Sequence, residues 1–290
     1  MSHIDQHIPK NNDRRRVSRG DPDRRQQNRH VWFLNATFDR VNFDQTVARI
    51  NERPVGAPFK FVVTPNVDHL VRLQTEPDWV KGLYAQAWLT VCDSRILELI
   101  ASISGERIDV TPGSDLTKAL FENNINPDEP VTIIGANAQT IAAVTARYGL
   151  RNVNWYEPPM GLAKNLLAVE QCAEFVAKNP ARFIFFCVGS PQQEMVARAC
   201  LRRGDCEGTG LCVGASLDFL AGAISRAPQW MQRLRFEWLF RLLSEPKRMW
   251  RRYLVDGPKI MFVWWKWHTA RAALKKVEKL EQTGAFEGRR

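Results

Sequence analysis

The chain has 290 residues, 44% of them hydrophobic, enough for one substantial core or one domain with an appendage. No apolar run approaches the ~20 residues of a membrane-spanning helix, the longest candidate being 260–265, so any membrane contact is expected to be interfacial. The formal charge of +10 is uneven, with 16 Lys/Arg against 6 Asp/Glu from Arg226 onward, 8 against 4 through His30 and 17 against 21 between them, which excludes a uniformly basic fold and points to an anionic partner at the ends, a membrane surface or a nucleic acid.

Residues 1–30 are rich in Asn, Asp, Arg and Gln and nearly empty of large apolar side chains, so a disordered basic tail is expected. They contain no apolar signal-peptide region, and a cytoplasmic location is expected. Asp21-Pro22-Asp23 has the Asp-x-Asp spacing that can hold a metal-bound nucleotide, but in such a tail it reads as coincidence.

From Val31 short apolar runs alternate with longer amphipathic ones. Residues 31–34, 61–64, 88–92, 131–135, 153–156, 183–188 and 211–214 read as strands. Helical stretches are expected at 67–73, 95–102, 114–123, 139–148, 164–178 and 192–201. This pattern predicts an α/β domain over 31–225, with a doubly wound, mainly parallel sheet covered on both faces. Beyond it, strands stop and Trp and Arg accumulate, so 226–290 is read as a helical, basic, Trp-rich appendage punctuated by Pro246 and Pro258. Six cysteines (Cys92, Cys172, Cys187, Cys200, Cys206, Cys212) form no CxxC pair and read as buried free thiols rather than a zinc site.

Ligands of doubly wound sheets bind beyond the carboxyl ends of the strands, so the residues there are the first candidates for a site. Thr64-Pro65-Asn66 follows one strand; its hydroxyl and amide suit a sugar or nucleotide, and Asn66 equally suits a helix cap. Asp93 follows the next, placed either to cap a helix or to act as a general base. Gly113 opens a helix and permits close backbone approach, while Ser114 or Asp115 offers a cap. Gly135 ends a strand in a turn reminiscent of phosphate loops but without the Gly-x-Gly-x-x-Gly spacing, so a dinucleotide is not expected. In Gly189-Ser190-Pro191-Gln192-Gln193-Glu194, Gln193 offers both donor and acceptor, and Glu194 reads as support for the helix start. Residues 218–222 read as a further short helix, after a strand that ends near Gly214; Gly214 suits phosphate or backbone approach, and Asp218 is structural or a pocket residue, the structural role favoured.

Residues 227–253, APQWMQRLRFEWLFRLLSEPKRMWRRY, complete the pattern. Together with TPN, VCDS and GSPQQE in this order, over about residues 61–253, the chain resembles the WecG/TagA/CpsF family of bacterial glycosyltransferases, glycosyltransferase family 26. The resemblance implies a Rossmann-like fold and an inverting transfer from a UDP-sugar to a polyprenyl-pyrophosphate-linked saccharide, feeding a surface polysaccharide. It implies Asp93 as the base and Thr64, Asn66 and Gln193 as donor-binding residues, while the Gly135 turn and the helix start after it suit a nucleotide pyrophosphate or uridine on residue grounds alone. Arg241, Arg248 and Arg252, spaced to share one side if the helix continues through Pro246, are implied for a pyrophosphate. No metal and no other cofactor are expected, the arginines and helix N-termini supplying countercharge. The family usually has Asp-Gly where this chain has Asp93-Ser94, and the family's arginine before Gly113 has no clear match. The tail with Trp264, Trp265 and Trp267 followed by a Lys-rich helix suits the inner face of an anionic plasma membrane, or docks on the protein's own core or on a partner subunit. Self-association is also implied. A non-catalytic membrane scaffold or a nucleic-acid-binding protein are the alternatives, and nucleic acid is not the expected partner.

Overall fold

The computed structural model describes residues 29–223, 227–228, 230–231, 236–244 and 246–282. The tail before Arg29, with Asp21-Pro22-Asp23, lies outside the described residues. Strand β1 (His30–Phe33) was expected in the parallel sheet, yet it pairs antiparallel with β2 (Ala36–Asp39) in a separate hairpin. Leu34 and Asn35 form its turn, both at positive φ. The strand alternates exposed and buried residues, as a sheet wetted on one face does. Asp39 fastens the hairpin to the main sheet by accepting the Thr90 N–H at 2.8 Å.

The main sheet has six parallel strands: β3 (Lys60–Val63), β4 (Leu89–Thr90), β5 (Val131–Gly135), β6 (Val153–Tyr156), β7 (Phe183–Cys187) and β8 (Thr209–Cys212). Their order is β4-β3-β8-β7-β5-β6. The chain steps outward from β3 to β4, crosses to β5 and β6 on the far side, and returns through β7 to β8 beside β3. This is the doubly wound, Rossmann-like α/β arrangement expected. Its direction reverses next to β3, where such sheets open a crevice.

Side chains alternate between the two faces with period two. Phe61, Val63, Ile184 and Phe186 enter one buried core, whereas Val62, Phe183, Phe185 and Leu211 enter the other. The covering helices are α1 (Phe43–Asn51), α2 (Val67–Leu73), α3 (Asp78–Ala85), α4 (Arg95–Ile103), α5 (Gly113–Asn123), α6 (Ala138–Tyr148), α7 (Leu166–Lys178), α8 (Gln192–Arg203) and α9 (Ser216–Leu220). Two of them, α1 and α3, were not among the expected helices. Asn42 and Gln45 form a capping box at the start of α1. The six cysteines are free thiols, all buried except the partly exposed Cys187.

Past the sheet come α10 (Glu237–Ser244), α11 (Pro246–Trp250), a π-helical turn at Arg251–Asp256 and α12 (Lys259–Gln282). One face of α12 docks on the core: Ile260 is buried in it, and Val263, Trp264 and Trp267 pack against the same core. Trp264 Nε1 donates to Ser104 Oγ at 2.7 Å, Trp267 meets Phe33 edge-on at 5.1 Å, and Arg271 pairs with Glu106. Docking on the protein's own core therefore accounts for two of the three tryptophans, Trp264 and Trp267. Phe262 and Trp265, on the other face, are more than half exposed. Among the described residues no helix is long and apolar enough to cross a membrane.

Candidate active site

A cleft of about 520 Å³ opens at the carboxyl ends of β3 and β4. The first turns of α2 and α4 form its floor, through Asn66 to Asp68 and Ser94 to Ile96, and Val110 and Pro112 form a side. The appendage closes the top with Trp238, Arg241, Leu254 and Met261.

Asp93 lies in this cleft, and the helix after it is capped by its neighbour. Ser94 accepts the Leu97 N–H at 3.3 Å, so the side-chain cap of α4 comes from Ser94. That gives Ser94 a local structural role. The Asp93 backbone N–H donates to Pro65 O at 3.0 Å, tying the β3 and β4 loops together. Its Oδ1 accepts the Gly113 N–H at 3.3 Å, so a backbone group helps to aim the carboxylate.

Asn66 is the helix cap expected of it, and it also stands at the cleft. Its Oδ1 caps α2 by accepting the Asp68 N–H at 3.1 Å, and the residue also lines the cleft. Thr64 does not line the cleft: it is buried, and its hydroxyl donates to Cys212 O at 3.0 Å, bridging β3 to β8. Gln193 is 4% exposed, with both ends of its amide engaged: Nε2 donates to Glu194 Oε1 and Oε1 accepts the Gly214 N–H, each at 2.9 Å. The close approach read for Gly214 is thus to Gln193. Gly135 also lies away from the cleft, and a Cβ there would stand 2.6 Å from Val188 Cγ1. At Gly113 the close neighbour is Thr64 Oγ1, 3.2 Å from where a Cβ would lie, so the approach is of protein to protein. Asp218 accepts the Thr140 hydroxyl at 2.8 Å, in keeping with its structural reading.

Of the three arginines, Arg241 lines the cleft, its guanidinium 4.8 Å over the Phe219 ring. Arg248 lies on α11 and Arg252 in the π turn. Their side chains lie outside the described part of the structure. The α-helical spacing argument does not carry to Arg252, because Pro246 opens a new helix and a π turn follows it. Sequence reasoning missed Arg95, a second cleft cation whose signal was its place two residues after Asp93. Arg107 points elsewhere and pairs with Asp109 at 3.6 Å. Among the described residues no three His, Cys, Asp or Glu side chains gather as metal ligands.

Glu194, on α8, is 1% exposed, with Oε2 lacking a hydrogen-bond partner. Burial pushes its carboxyl above the ordinary range, opposed by the Gln193 hydrogen bond and the Arg72 charge. The fold therefore favours the neutral acid. That contribution is complete below the ordinary value of 4.5 and is lost as pH rises toward the folded value. Glu194→Gln keeps a neutral group there. Its urea midpoint is expected to gain on wild type as pH increases from about 4.5. A difference constant with pH would mean that the carboxyl titrates in the fold as it does in the unfolded chain.

Residues 31–273 match the model of the glycosyl transferase WecG/TagA/CpsF family, which spans the hairpin, the sheet and most of the appendage. The match covers well over half of the 290 residues, and it includes every residue that lines the cleft. This chain belongs to the WecG/TagA/CpsF family of glycosyltransferases.

Proposed function

We propose that this protein is an inverting glycosyltransferase of surface polysaccharide synthesis. It moves one sugar from a UDP-sugar to a hydroxyl of a polyprenyl-pyrophosphate-linked saccharide at the inner face of the plasma membrane. The observation that carries the reading is Asp93: Ser94 takes the capping task, and a backbone N–H aims the Asp93 carboxylate within the cleft. A carboxylate so held is suited to take the acceptor's proton as the hydroxyl attacks the anomeric carbon. One displacement by an outside hydroxyl inverts that carbon, and the pair of electrons of the broken bond leaves with UDP.

Charge then develops on the leaving diphosphate. Arg241 and Arg95, together with the positive end of α4, supply fixed countercharge at the cleft. Arg248 and Arg252 are assigned to the same diphosphate or to that of the acceptor. The basic, Trp-rich appendage places the enzyme on the anionic membrane that holds its acceptor.

The test is label transfer from a panel of UDP-sugars into polyprenyl-pyrophosphate saccharides, with NMR of the product's anomeric configuration. One donor is expected to react with inversion, and EDTA to leave the rate unchanged. Arg241→Ala is expected to lower kcat about 10- to 100-fold, since it removes a charge that meets the leaving group. Retention of configuration would sink the single-displacement mechanism. An Arg241→Ala enzyme with wild-type turnover would leave the countercharge to other groups.

A further inference from the structure

The cleft has two chemically different halves. Its floor is polar, with Asn66, Asp93 and Arg95 beside the helix starts. Its roof is apolar, made by Trp238, Leu254, Ile260 and Met261 of the appendage. A sugar nucleotide is polar over most of its surface and leaves such a roof unmatched.

The roof does not end at the mouth of the cleft. Leu254 and Met261 line the cleft, yet they are 56% and 51% exposed, so the apolar wall turns outward there. Phe262 follows Met261 directly, and its ring stacks on Trp265 at 6.1 Å. Met261 and Trp265 are four residues apart and share a side of α12. Lys266 sits 4.5 Å over the Phe262 ring, with its charge at the edge of this strip. An apolar strip with Lys266 at its edge, leading into a cleft that holds Arg95 and Arg241, suits an isoprenoid chain that carries an anionic pyrophosphate, the chain lying along the strip and the anion near the basic groups.

We propose that the roof and the outer strip form the subsite for the isoprenoid chain of the acceptor, with Leu254 and Met261 as the threshold between the cleft and the bilayer. The proposal rests on the reading of this cleft as the active site. It assigns the polar floor to donor and reacting sugar and the roof to the lipid, so that the acceptor enters from the appendage side.

The test is calorimetric titration of the full chain with farnesyl pyrophosphate and with inorganic pyrophosphate, in wild type and in Leu254→Gln/Met261→Gln. Wild type is expected to bind farnesyl pyrophosphate at least tenfold more tightly than pyrophosphate, and the double variant to lose most of that preference. The ratio is internal to each protein, so a general loss of affinity does not imitate the result. No preference in wild type, or a preference that survives both substitutions, would overturn the subsite. So would absence of preference with a concentration-dependent dimer that the substitutions dissociate, which would make the strip a face between two copies. UDP titrated into wild type tests the active-site reading separately: UDP that fails to bind undermines that reading, whatever the chain preference.

Discussion

Asp93→Asn is expected to lower turnover about 10²- to 10⁴-fold, the range over which a positioned general base acts. Asparagine is nearly isosteric, and its amide oxygen can still accept the Gly113 N–H that Asp93 accepts at 3.3 Å. The backbone link from residue 93 to Pro65 O does not involve the side chain and is retained. Ser94 continues to cap α4. The substitution therefore removes proton acceptance and charge while sparing the geometry, and the loss is expected in kcat, with the donor's KM within a few-fold of wild type. Asp93→Ala, which also releases the Gly113 N–H, is expected to lose thermal stability as well. Turnover of Asp93→Asn within threefold of wild type would show that residue 93 serves only to tie α5 to the β4 loop.

The sheet was readable because its strands are short apolar runs between helical periods, and because parallel strands buried on both faces leave that mark. β1 was misplaced for the converse reason. The alternation of His30, Val31, Trp32 and Phe33 is the mark of a strand wetted on one side, and Asn35 supplies a residue that tolerates positive φ in a tight turn. Helix α1 also carried a readable start, the Asn42 and Gln45 capping box.

The strand-end rule brought two of the expected residues to the cleft. Asp93 and Asn66 both line the cleft. Thr64 and Gln193 follow strands too, yet their side chains turn to backbone groups of the protein, Cys212 O and the Gly214 N–H. A polar side chain after a strand meets either a ligand or an orphaned backbone group, and residue type and spacing are the same for both. The roof was illegible for another reason. Leu254 and Met261 join Asn66 and Asp93 across more than 150 residues of chain, and no local period records that meeting.

Gly135→Ala is expected to destabilise the fold by about 2–6 kcal/mol, combining a strained left-handed backbone with an overpacked contact. Gly135 has φ +92, and its added Cβ would lie 2.6 Å from Val188 Cγ1 and 2.8 Å from both C and O of Cys187. The valine methyl can rotate away. The Cys187 peptide cannot, because residue 187 is the register partner of residue 135 in the β5–β7 ladder. The Gly135 carbonyl is also fixed, since it accepts the Trp155 indole N–H at 2.9 Å. The strain thus falls on the centre of the sheet, against a total stability of order 5–15 kcal/mol. A marked fall in the urea midpoint is expected, with the donor's KM in the folded fraction close to wild type. If Gly135 instead admitted a phosphate, as its turn after β5 suggests, the signature would be reversed: a KM raised tenfold or more on a midpoint that hardly moves. The two readings differ in which measurement shifts, and one substitution separates them.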